Sequence, residues 1–116
     1  MPAGFEFEKG RRKMKQVIRT LKRRTNFPTL RVYIPDVLKT MPDQFDSHQF
    51  IGEFVCQEEQ TYLRALQDAG LNKPFQTVND ALIHWLGESG LVQQVGTRES
   101  ENIFKQMRSA AVWKKV

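Results

Sequence analysis

The stretch that most constrains the fold is residues 75–108, FQTVNDALIHWLGESGLVQQVGTRESENIFKQMR, where several independent local signals agree on a helix followed by a hairpin. Val78, Leu82 and Trp85 recur at i, i+4 and i+7, and Ala81 and Leu86 widen the same face, so one side of this helix is expected in a core. Thr77 is the expected N-cap. Asp80, three residues on, gives a carboxylate variant of the capping box and suits the positive end of the helix dipole. Gly90 stands where a left-handed cap is wanted, with Leu91 as its hydrophobic contact, and stops the helix. Residues 91–95 and 103–107 read as two short strand-like runs. The polar segment between them, residues 96–102, is too long for a two-residue turn and is expected to be a flexible tip.

A helix ending in LGESGLV and leading into a loose hairpin resembles the recognition helix and wing of winged helix-turn-helix DNA-binding domains. The resemblance implies an α+β fold, a mostly helical winged-helix-like domain with a C-terminal β-hairpin wing. It bears on fold more than on function. As partner it implies nucleic acid, duplex DNA first, bound by a homodimer on two half-sites. On the helix, Gln76, Thr77, Asn79 and His84 are the candidates for base contacts, because amides pair base edges in the major groove. Asp80 and Glu88 make that face a poor cationic one. On the wing, Arg98 at the expected tip, with Lys105 and Arg108 on the second strand, are the candidates for phosphate or minor-groove contact, diluted by Glu99 and Glu101.

Charge is distributed unevenly along the 116 residues, whose net charge is +5. Residues 1–24 hold nine basic side chains against two acidic ones, a net +7, and the remaining ninety-two residues hold nine against eleven, a net −2. The chain therefore reads as a basic N-terminal arm or helix, residues 1–24, on a slightly acidic winged-helix-like domain, residues 25–116. Within the arm, Met14, Val17, Ile18 and Leu21 mark one face of a helix. Arg11, Arg12, Lys13, Lys15, Arg19, Lys22, Arg23 and Arg24 fill the others and are candidates for phosphate contacts, each releasing a condensed counterion. A merely solvated face is the rival explanation. An anionic membrane surface fits less well, since the apolar face is narrow and lacks Trp and Phe.

Between arm and hairpin, residues 29–34 alternate Leu30, Val32 and Ile34 against Arg31 and Tyr33, which predicts a strand ended by Pro35. LRVYIPDVL also resembles the strand and first-helix start of ribbon-helix-helix repressors, a resemblance ranked lower because Pro42 cuts the following helix too short. Residues 48–69 predict the longest helix, capped by Ser47 and closed by Gly70, with a bulge or break at residues 57–60. Its buried face is expected to carry Phe50, Ile51, Phe54, Val55, Tyr62, Leu63 and Leu66. Trp113 is expected against the sheet or a partner subunit.

The single cysteine, Cys56, lies in an amphipathic pattern and is expected as a buried small hydrophobe. One Cys and two scattered His, His48 and His84, give no zinc signature and no nucleophile–base pair, and no glycine-rich phosphate loop is present. The expectation is a non-enzymatic protein without metal or cofactor. No apolar run reaches the length of a membrane span, and the first residues lack a secretory apolar core, so a cytoplasmic location is expected. The alternative function is a protein-interaction module, with the Asn79, His84 and Glu88 face contacting another protein.

Overall fold

The computed structural model describes residues 27–116; the basic arm lies outside the described residues. Four helices and three strands follow in the order α1 (Pro28–Leu38), β1 (Gln44–Asp46), α2 (Ser47–Gln57), α3 (Glu59–Ala69), α4 (Pro74–Glu88), β2 (Val92–Glu101) and β3 (Met107–Lys115). The strands form one antiparallel sheet of order β1-β3-β2, so the last strand is the central one. The architecture is α+β, as expected.

Residues 29–34 are helical, which overturns the expected strand there. Leu30, Ile34, Val37 and Leu38 are the buried positions of α1, spaced i, i+4, i+7 and i+8, whereas Val32 is 66% exposed. The 3.6-residue period therefore decides over the two-residue one. Pro28 sits in the first turn, where its missing N–H costs nothing, and Pro35 lies inside the helix. The carbonyl that Pro35 leaves without a helical partner belongs to Arg31, an exposed residue that water can reach.

The expected long helix is two. It breaks at Glu58 (φ −122, ψ 51), which serves as both the end of α2 and the start of α3. Its cap is Asp46, not Ser47: the Asp46 carboxylate accepts from the Gln49 amide and the Gln49 side chain accepts from the Asp46 amide, each at 2.9 Å. This reciprocal box contributes about 1 kcal/mol to the helix start. Phe50, Ile51, Phe54 and Tyr62 are buried, but Leu63 is 52% exposed and Cys56 is exposed rather than packed inside. α4 begins earlier than Thr77, at Pro74, after a left-handed Lys73, because a proline in the first turn already fixes the helical φ. At the far end Gly90 has φ +76, the left-handed conformation expected of it.

The core gathers Leu30, Ile34 and Val37 of α1, Phe45 of β1, Phe50 and Phe54 of α2, and Val78, Leu82 and Leu86 of α4. Phe45, Phe50 and Phe54 form a run of ring contacts at 6.1 and 6.2 Å. Trp113 of β3 closes this core inside the chain. Its Cα registers with Phe45, its ring meets Gly87, and its indole N–H donates to the buried Ser47 hydroxyl at 2.9 Å. Trp113, expected against the sheet or a partner subunit, is thus satisfied within its own subunit.

The hairpin is longer and shifted relative to expectation. β2 runs on through residues 96–101, with Val95 as a bulge between Gln94 and Gly96, and β3 starts only at Met107. The turn is residues 102–106, and it is organised rather than loose. The Asn102 side-chain oxygen accepts from the amides of Phe104 (2.9 Å) and Gln106 (3.0 Å), and Lys105 takes a left-handed φ of 66°.

Candidate nucleic-acid interface

An open groove of about 1330 Å³ lies between the first half of α4, the start of α2 and the distal half of the hairpin. Helix periodicity explains its α4 wall. With Val78, Ala81, Leu82 and Leu86 turned to the core, the opposite face brings Gln76, Asn79, Asp80 and Ile83 to the groove. Thr77 and His84 fall on a flank outside it, and the His84 ring sits edge-on to Trp85 at 5.1 Å. Trp85, an expected core residue, is half-buried with the Arg31 guanidinium 5.1 Å from its ring centre. So α4 separates the four expected base-reading residues: Gln76 and Asn79 share the groove and Thr77 and His84 do not.

Asn79 is also engaged. Its amide oxygen accepts a 2.7 Å bond from the Tyr62 hydroxyl, which ties α3 to α4. Burial pushes the Tyr62 phenol up to about 12. Gln76, the other amide on this wall, is exposed.

The expected wing residues are separated as well. Arg108 lines the groove from β3, and Lys105 is exposed at the turn. Arg98 is not at the tip but in the middle of β2, and its half-exposed side chain reaches across the sheet. Its guanidinium meets the Asp46 carboxylate at 2.8 and 2.9 Å and the Gln49 side chain at 3.1 Å. Its path from β2 to β1 crosses β3 at Ala110 and Val112, the registered partners of Arg98 and Asp46, and both are buried. Arg98 therefore links the two outer strands and the α2 cap. Burial pushes the Asp46 carboxyl up, but donation from the Gln49 amide, Arg98 and Ser100 outweighs it and holds the group below the usual aspartate value. Beside this network the His48 ring and the Ser100 hydroxyl are hydrogen-bonded at 2.7 Å.

The remaining expected contacts, Arg11, Arg12, Lys13, Lys15, Arg19, Lys22, Arg23 and Arg24, lie outside the described residues. Among the groove residues that escaped the sequence reading are Lys73, Phe75 and Phe104. Lys73 precedes α4, Phe75 is in its first turn, and Phe104 is at the hairpin turn. Pro74 as a helix start and Asn102 as a turn former are the local signals that could have found them. Among the described residues, the ionisable side chains lining the groove are Lys73, Arg108, Asp80 and His48. Among the described residues no group of three or more His, Cys, Asp or Glu side chains is placed to hold a metal ion, and no helix is long and apolar enough to cross a membrane.

With known proteins, no match is found: no family model, curated protein or solved structure matches this chain.

Proposed function

We propose that this chain is a winged-helix-like DNA-binding protein in which α4 is the recognition helix and the β2–β3 hairpin the wing. One observation carries the reading: α4 runs directly into a hairpin whose second strand is central in a β1-β3-β2 sheet, with β1 between the first two helices, and helix and hairpin together enclose a groove. A strand between the first two helices is what folds of this type usually supply. The lining mixes polar and apolar side chains, and its polar groups suit duplex DNA, with Gln76 toward base edges and Lys73 and Arg108, together with Lys105 at the turn, toward phosphates. The basic residues 1–24 supply the larger, sequence-independent share of affinity. A homodimer on two half-sites remains part of this proposal.

The test is a fluorescence-anisotropy titration of a random-sequence duplex at several salt concentrations. Affinity should fall steeply with salt. Reversing both Lys105 and Arg108 to Glu should weaken binding and flatten the logarithmic salt slope by about 2, since each phosphate contact contributes about 0.9. Unchanged binding after that double reversal would remove the hairpin from the interface. The second reading, a protein-interaction module, is favoured by the exposed Phe75, Phe104 and Met107. It predicts no duplex binding at low salt.

A further inference from the structure

Phe75 and Phe104 remain 42% and 48% exposed, yet they are not scattered surface residues. Their ring centres are 5.1 Å apart with planes at 86°, so α4 and the hairpin turn meet through an edge-to-face aromatic pair at the groove. Tyr62 stands behind Phe75 at 6.5 Å. The turn holds Phe104 in place, since Asn102 accepts from its backbone amide and from that of Gln106. Lys73 lies two residues before Phe75, Lys105 directly follows Phe104, and Arg108 lines the same groove. Asp80 is the acidic lining residue and sits further along α4; Glu99 and Glu101 do not line the groove.

A fixed, exposed ring pair flanked by cations suits a partner with flat π-faces and nearby negative charge. A paired base inside a duplex is already stacked on both sides, whereas an unpaired base has faces to offer. We propose that Phe75 and Phe104 form a stacking platform for an unpaired base of a DNA strand whose phosphates lie along Lys73, Lys105 and Arg108. This rests on the reading that the groove binds nucleic acid, and it specifies the substrate: a duplex continued by a single-stranded segment.

The test compares two fluorescein-labelled DNAs on the full chain, a blunt duplex and the same duplex with a single-stranded thymidine overhang of about six nucleotides, within the span one such site tracks. The overhang DNA should bind about fivefold tighter or more, the gain expected of one stacked base. Phe104→Ala should bring the ratio of overhang to blunt-duplex affinity down to about one, Phe75→Ala should reduce that ratio, and Phe104→Trp should retain it. Lys105→Glu should weaken both DNAs by the same factor. An unchanged thermal melt of Phe104→Ala excludes unfolding as the cause. Equal affinity of the wild-type chain for the two DNAs, with blunt-duplex binding intact, would overturn the platform and leave the groove reading standing. Binding of neither DNA would overturn both and point to a protein as the partner of the ring pair.

Discussion

The two ends of β3 belong to different parts of the protein's physics. At one end Trp113 is buried against Gly87, registered with Phe45 and bonded to Ser47; at the other, Met107 is 57% exposed. The aromatic side chains divide the same way. Phe45, Phe50 and Phe54 are fully buried near the first end, while Phe75 and Phe104 stand half-exposed near the second. One continuous hairpin thus uses its proximal half to complete a core and its distal half to wall a groove. The exposed groove residues Phe75, Phe104 and Arg108 can therefore vary without endangering the fold, whereas Ser47, Ile51 and Ala110 line the groove and also hold the core and sheet.

That division can be broken most sharply by substituting one phenylalanine at each end. Phe45→Ala should cost about 3–5 kcal/mol in chemical denaturation, whereas Phe104→Ala should cost no more than about 1 kcal/mol, the worth of one exposed aromatic pair. Comparable losses would show that the distal hairpin is part of the core. Next in size is Arg98→Met, which strips the link from the buried Asp46. A loss of about 1–3 kcal/mol is expected, below the value for a fully buried pair because the Arg98 side chain is 48% exposed and water can replace it in part.

The same pair sets an acid response. The Asp46 carboxyl is held below its ordinary value in the folded chain, so its contribution is present above the unfolded pKa of about 4 and is lost as pH falls through the lower folded value. Stability measured by urea midpoint should decline from about pH 5 downward, and Asp46→Asn should shallow that decline. An identical pH profile in the variant would assign the acid response to other carboxylates. Smaller again is Trp113→Phe, which keeps most of the packing but removes the indole donor to Ser47, with an expected loss of about 1 kcal/mol in the same denaturation assay. Smallest in stability is the Lys105→Glu, Arg108→Glu double reversal. It should leave the melting temperature within about 2 °C of wild type, since surface charges contribute little to folding, while changing duplex affinity.

How much of this was legible in the sequence follows from how local each signal is. The buried face of α4 and its Gly90 stop rest on residues within a few positions of one another, and both stand. In α1 two periods competed: Leu30, Val32 and Ile34 fit a strand, while Leu30, Ile34, Val37 and Leu38 fit a helix. Burial against the other helices chose the second, and Pro35, which looked like a terminator, was accommodated on the exposed side. β2 was the least readable element. VQQVGTRESE carries little apolar alternation, and it is a strand because β3 pairs with it along its length and Arg98 reaches across to Asp46. That contact joins residues far apart in sequence, so Arg98 looked like a free cation at a tip. The groove was half-legible for the same reason. Gln76 and Arg108 were recognisable by type, but the Phe75–Phe104 pair exists only once the hairpin folds back on α4.

The most direct test of the central claim, that α4 and the distal hairpin form a nucleic-acid interface, is an amide chemical-shift titration of the full chain with duplex DNA. Perturbations should concentrate at residues 73–83 and 102–109, with Phe45, Asp46 and Trp113 little changed. Shifts confined to other surfaces, or none at all at low salt, would contradict that claim.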